Sequence, residues 1–191
     1  MRRRALTILV AALCCAGLCA TVALAAAKAP KGTAKGERLI GTPKKDTIRG
    51  AGGNDKIFGR GAADKLFGDA GDDSVNGEDG DDDLSGGTGA DDVKGGRGAD
   101  LLNGDTGNDK LRGESGDDQL DGGPGNDTLT GGEGVDDLMG GDGNDTIRAV
   151  DGNVDTIDCG PGEDTAFVDA EEDGVLNCEN VNGPATGNGQ R

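Results

Sequence analysis

The chain has no histidine, no tryptophan and no tyrosine, and only three phenylalanines among its 191 residues. Without histidine there is no imidazole to serve as a general base or to complete a zinc site. With aromatic residues this scarce and 39 glycines present, an ordinary core cannot bury the apolar area that offsets the entropy of ordering a backbone. Basic residues are also few: 19 Lys and Arg stand against 37 Asp and Glu, a formal charge of -18. That balance argues against a nucleic-acid partner, because phosphate binding needs Lys and Arg clustered on a face. It points instead to divalent cations as the counter-charge. The same composition in scrambled order would read as an acidic disordered tail.

The order is not scrambled. An aspartate returns every nine residues through Asp46, Asp55, Asp64, Asp73, Asp82, Asp91, Asp100, Asp109, Asp118, Asp127, Asp136 and Asp145. Five residues before each stands a glycine, from Gly41 and Gly50 to Gly131 and Gly140, and two residues after each stands an aliphatic side chain, from Ile48 to Ile147. Turn glycine, carboxylate and apolar side chain share one period, which marks a solenoid. Within a unit such as Gly122-Gly123-Pro124-Gly125-Asn126-Asp127-Thr128-Leu129-Thr130, the six residues ending in aspartate are expected to be loop. The last three are expected to be strand, with the middle residue inward and its neighbours, such as Lys56 and Phe58, outward. Glycine at the first and fourth positions is expected to supply positive φ and to aim carbonyl oxygens at one point. The Asn or Asp found at the fifth position in seven units is expected there for its tolerance of left-handed backbone.

The ends differ from the array. Three arginines, Arg2 to Arg4, precede an uncharged, alanine-rich stretch from Ala5 to Ala27. Residues 1–27 therefore have the plan of a secretory signal, with a retained anchor as the alternative. Residues 28–36 are expected to be a disordered linker, 37–148 the roll, 149–182 capping repeats and 183–191 a disordered tail. Beyond the leader the cysteines are Cys159 and Cys178, an even pair that in an exported protein reads as a disulfide. Their separation of nineteen residues puts them on adjacent coils if a coil holds two units, where strands lie ~4.8 Å apart. Two free thiols are the alternative.

The repeat resembles the RTX nonapeptide repeats of haemolysin-type calcium-binding proteins, with consensus Gly-Gly-x-Gly-x-Asp-x-aliphatic-x. The match runs from 41 to 148, with looser units at Asp155, Asp164 and Asp173. The resemblance implies an all-β fold, a right-handed parallel β-roll in which two units form one coil and Ca2+ ions lie between loops one coil apart. On this chain it places Asp46, Asp64, Asp82, Asp100, Asp118 and Asp136 along one edge, and Asp55, Asp73, Asp91, Asp109, Asp127 and Asp145 along the other. These carboxylates would ligate calcium with the backbone carbonyls of Gly50, Gly68, Gly77, Gly86, Gly95, Gly104, Gly113, Gly122, Gly131 and Gly140. Five gaps per edge set an upper bound of about ten ions. Lys44 and Lys45 in the first loop, and Ala62 and Val135 further on, depart from the consensus and are expected to lower that number. Oxygen-only ligands suit calcium better than magnesium.

The expectation is therefore an exported, extracellular calcium-binding protein that folds on its metal and plays a structural or interaction role, with cell-surface or matrix components as possible partners. The alternative is a secretion or adhesion module of a larger exported system. An enzyme is not expected, because the aspartates are accounted for by the repeat and no serine or cysteine sits in a nucleophile motif.

Overall fold

The computed structural model describes residues 30–169 and 174–183. The leader, Asp173 and residues 184–191 lie outside the described residues. Seventeen strands follow one another with no helix between them among the described residues. They are β1 (Arg38–Ile40), β2 (Thr47–Arg49), β3 (Lys56–Gly61), β4 (Lys65–Ala70), β5 (Ser74–Asp79), β6 (Asp83–Thr88), β7 (Asp92–Arg97), β8 (Leu101–Thr106), β9 (Lys110–Ser115), β10 (Gln119–Pro124), β11 (Thr128–Glu133), β12 (Asp137–Asp142), β13 (Thr146–Ala149), β14 (Thr156–Asp158), β15 (Thr165–Val168), β16 (Gly174–Leu176) and β17 (Asn180–Asn182). Odd-numbered strands form a nine-stranded sheet and even-numbered strands an eight-stranded one. Every pairing is parallel, as in β5 with β7, where Val75 lies beside Val93, so the architecture is an all-β parallel solenoid of about 8 turns.

The period sets the register. Through the array each residue pairs with the one eighteen positions on, for example Leu84 with Leu102 and Leu120 with Leu138. The aliphatic residue of each unit thereby lands on another aliphatic residue. Ile48, Ile57, Leu66, Val75, Val93 and Leu102 are among those with no exposed surface, and the two columns meet between the sheets as one narrow core. Alternation along the strand sends the flanking residues outward. All three phenylalanines lie on that outer surface, each under an arginine of the preceding coil: Arg38 over Phe58, Arg49 over Phe67 and Arg148 over Phe167, at 4.8, 4.1 and 4.4 Å from the ring centres.

Three expectations about the unit need correction. The strands of the array, such as β3 to β12, are six residues long rather than three, because the ladder continues past the bend to pair Arg60 with Glu78 and Gly61 with Asp79. Only three residues per unit remain for the turn. Positive φ does not fall at the first position but at the second and fourth, as at Glu78 (φ 75) and Gly80 (φ 146). No fifth-position residue has positive φ among the described residues. Its Asn or Asp is instead a rung: Asn54 Oδ1 accepts from Asp72 N (3.1 Å), Asp72 Oδ1 from Ala90 N (3.0 Å) and Asn126 Oδ1 from Asn144 N (2.9 Å).

The stack also begins earlier than expected. Residues 32–40 form a unit of their own, in which Glu37 takes the aspartate's place and donates its amide to Asp55 Oδ1 (2.6 Å). Leu39 occupies the buried column, and Gly32 N donates to Arg49 O (2.8 Å). The expected linker at 28–36 is thus in good part the first half-coil. At the other end one inserted residue shifts the register to nineteen, pairing Ile147 with Ala166 and Leu138 with Ile157. Cys159 and Cys178 are joined in a disulfide with Cα atoms 5.2 Å apart.

Candidate metal centre

The twelve aspartates of the ladder form the two columns expected of them, and all are buried. From Asp55 to Asp145, one carboxylate oxygen of each is held by the backbone of the preceding coil. Asp46 N donates to Asp64 Oδ1 (2.7 Å), Asp64 N to Asp82 Oδ1 (2.7 Å), and so on to Asp118 N and Asp136 Oδ1 (2.9 Å). On the other edge Asp55 N donates to Asp73 Oδ1 (2.7 Å), and the column runs through Asp127 and Asp145 to Asp164. The carbonyl of the same aspartate accepts from the residue nineteen positions on, as in Ser74 N to Asp55 O (2.9 Å). Backbone and side chain together fix each carboxylate in one pose.

The second oxygen has no such partner. From Asp55 to Asp145, Oδ2 of every ladder aspartate is buried and takes no hydrogen bond. A buried acceptor left this way costs the full desolvation of the group, so eleven repetitions call for a cation or a proton. Asp46 is the exception, because Thr42 donates both its amide (2.5 Å) and its hydroxyl (2.9 Å) to Oδ2. The first loop is therefore satisfied from within, in keeping with its departure from the consensus.

The orphaned oxygens face the first-position glycines. A Cβ built on Gly104 would stand 2.7 Å from Asp109 Oδ2 and 2.6 Å from the carbonyl oxygen of Gly122, one coil on. At Gly59 the distances are 2.5 Å to Asp64 Oδ2 and 2.7 Å to Gly77 O. Here is the physical reason for glycine at the first position: close approach of two oxygens, not backbone dihedral. Both oxygens close on the glycine's own Cα–H, so no larger residue fits, and Asp109 Oδ2 and its equivalents are left as hard acceptors with no donor. A second set of carbonyls lies in the turns, where a Cβ on Gly71 would stand 2.5 Å from Gly53 O and one on Gly80 2.5 Å from Ala62 O.

The electrostatics follow from this burial. The carboxyls of Asp109 and Asp118 are pushed up to about 7, and those of Asp64, Asp91, Asp100 and Asp127 to about 6. Burial is the largest cause, the amide of the preceding coil works against it, and like charge along the column adds to it for most of them. No group of three or more Asp, Glu, Cys or His side chains comes together among the described residues. A metal here would be held by one or two carboxylates with backbone carbonyls, not by a carboxylate cage. The donors are all hard oxygens, which fits calcium.

The columns run further than the expected set, and Asp155 continues one of them, with Oδ1 accepting from Asp136 N (2.9 Å). Asp164 continues the other, with Oδ1 accepting from Asp145 N (2.7 Å) and Oδ2 unpartnered, but its first position is Cys159, so it has no glycine cradle. Glu37 opens the same column through its amide alone, its own carboxylate accepting from Thr33 N (2.8 Å) and Thr33 Oγ1. Nine-residue spacing to Asp46, with Gly32 and Leu39 in their places, was the signal for Glu37.

The family model of the RTX calcium-binding nonapeptide repeat (4 copies) matches residues 32–66, 58–93, 94–129, 112–147 and 130–166. No curated protein matches the chain.

Proposed function

The chain belongs to the RTX calcium-binding nonapeptide repeat family, and from that premise we propose that it is an exported protein whose roll folds when Ca2+ enters between its stacked loops. The observation that carries this reading is the repeated unpartnered carboxylate oxygen, from Asp55 Oδ2 through Asp145 Oδ2. Calcium would supply the positive charge that these oxygens lack. The ligands proposed are the carboxylates of Asp55 to Asp145 and the loop carbonyls that stack beside them, with Asp46 excluded by its bonds to Thr42.

Coupling of metal to folding follows from the narrow core. One aliphatic side chain per nine residues cannot hold eleven buried carboxylates together at neutral pH without a counter-charge. A cation that binds only the folded state stabilises that state by mass action. Extracellular calcium sites work at about 10⁻⁴–10⁻³ M, which suits a chain that stays expanded in low calcium and orders outside the cell. The leader pattern at residues 1–27 and the disulfide both support export. The task proposed for the folded roll is structural or binding rather than catalytic.

Far-UV circular dichroism of the chain from Lys28 onward, titrated with calcium and separately with magnesium, tests this reading. The expected result is a coil spectrum that becomes β-sheet near or below millimolar calcium and stays coil in magnesium. A spectrum indifferent to calcium, folded or unfolded, overturns it.

A further inference from the structure

The two sheets turn faces of opposite sign to solvent. On the nine-stranded sheet, the residues flanking the buried aliphatics include Arg38, Lys56, Lys94, Lys110, Arg112 and Arg148 against one acid, Asp92. On the eight-stranded sheet the same positions carry Arg49 and Lys65 against Asp83, Asp121, Asp137 and Asp158. In a chain with twice as many acids as bases, these two rows have kept their cations and nearly excluded carboxylates; Glu78, Asp79, Glu114 and Glu133 lie past the bend, at the far ends of the same strands.

Fold stability does not account for that strip. Arg38 lies directly beside Lys56, and Lys94 beside Arg112, and like charges opposite one another on neighbouring strands are destabilising. Asp92 is paired with Arg112, while Arg38 and Arg148 lie over Phe58 and Phe167. Lys56, Lys94 and Lys110 form no ion pair among the described residues. On the opposite face both cations are neutralised, Arg49 by Asp69 (2.6 Å) and Lys65 by Asp83.

We infer that the outer face of the nine-stranded sheet binds an anionic polysaccharide, one with carboxylate or sulfate on its sugars, laid along the stack across the strands. Strands ~4.8 Å apart present the cations as a linear series, and Ser74, Asn76, Thr128 and Thr130 stand between them to hydrogen-bond sugar hydroxyls. Nucleic acid fits less well. Phe58 and Phe167 are covered by arginines, so the face has no free aromatic platform on which bases could stack. The inference rests on the fold and is independent of where the ions sit.

The test is isothermal titration calorimetry of the full chain in calcium with carboxymethyl dextran, dextran sulfate, neutral dextran and a single-stranded oligonucleotide. At least one charged dextran should bind, more weakly as salt rises, and the neutral one should not. The one that binds identifies the anionic group. The combined variant K56Q, K94Q and K110Q should weaken binding by about tenfold or more, and a variant with the same charge change elsewhere, K31Q, K35Q and K65Q, by no more than about twofold. Circular dichroism of each variant in the same buffer separates loss of the face from loss of the fold. The proposal is overturned by equal binding of neutral dextran, by no binding of either charged one, or by an unaltered affinity in the folded triple variant. Tighter binding of the oligonucleotide also overturns it, as does self-association of the chain that the triple variant abolishes, because the face then belongs to nucleic acid or to a second copy.

Discussion

Asp109 Oδ2 lies 2.7 Å from the point at which a side chain on Gly104 would begin. That space is shared with the carbonyl oxygen of Gly122, so a methyl group there would displace both proposed ligands at once. Gly104→Ala should therefore destabilise the folded roll by about 1–3 kcal/mol, the usual range for overpacking, and raise the calcium concentration needed to fold it. Gly61→Ala is the control, because the nearest atom to its added Cβ is Asp79 O at 3.7 Å and its φ is not positive. Calcium titrations followed by circular dichroism should separate the two. Equal midpoints would show that the first-position glycine does not guard the cradle.

Glu114 stands at the second position of its unit with φ 78, a region that costs a non-glycine residue roughly 1–2 kcal/mol. Three neighbouring units use Gly123, Gly132 and Gly141 at the same place, all with positive φ. Glu114→Gly should accordingly stabilise the roll by up to about 1 kcal/mol, after the loss of chain entropy that glycine brings. A higher melting temperature in saturating calcium is the expected outcome. A lower one would mean that the carboxylate or Cβ of Glu114 contributes more than the backbone strain it imposes.

The raised carboxyls set a pH dependence for the metal-free chain. Their ordinary value is 3.8 and their folded values reach about 6 to 7 at Asp91, Asp100, Asp109, Asp118 and Asp127. A group raised on folding favours the folded state while protonated. That contribution is fully present below the ordinary carboxylate value and is lost as pH rises through the folded value. In chelator, the chain should gain β-structure as pH falls from 7 toward 4. Calcium added near pH 6 should release protons, because metal and proton compete for the same Oδ2. Circular dichroism against pH and a pH-stat titration measure the two effects. Loss of β-structure on acidification in chelator would contradict the proposed competition.

The sequence made the stack legible because its period carries the register. Once Ile48, Leu66 and Leu84 are known to recur every eighteen residues, parallel pairing and the two carboxylate columns follow. The interior of the unit was less legible, since glycine has several uses that a sequence does not distinguish. At Gly104 it makes room for oxygens, while at Gly80 it supplies φ 146. Asn54 and Asn126 looked like turn formers and are rungs, because an acceptor that bonds to the next coil leaves no local signature. Glu37 was passed over because it is not aspartate, although glycine and leucine stood at the right distances. The single acid in the rows that flank the buried aliphatics of the nine-stranded sheet became visible only when alternate units were sorted onto separate sheets.

The last coil depends on a covalent tie that the array does not need. Cys159 is buried in the position that glycine holds in the array, and its bond to Cys178 closes a loop of nineteen residues. Beyond it, β16 and β17 are three residues each, and the inward side chains are smaller or only partly covered, with Val175 packed at the margin of the core. Few bonds secure them: Cys159 N to Leu176 O (3.1 Å), Gly174 N to Asp155 O (2.9 Å) and Asn180 N to Asp164 O (3.0 Å) are among the cross-coil contacts. Closing a loop of about this length is worth roughly 3 kcal/mol through the unfolded chain, more than so small a coil supplies by burial. Cys178→Ser should leave calcium-dependent folding of β3 to β13 in place and free the coil that follows. Hydrogen exchange in saturating calcium should show protection lost from β16 and β17 and weakened in β14 and β15, with β5 to β11 unchanged. A solenoid unravels from an open end, so loss of protection throughout would show that the disulfide supports the entire roll, and no loss at all would show that the final coil holds by packing alone.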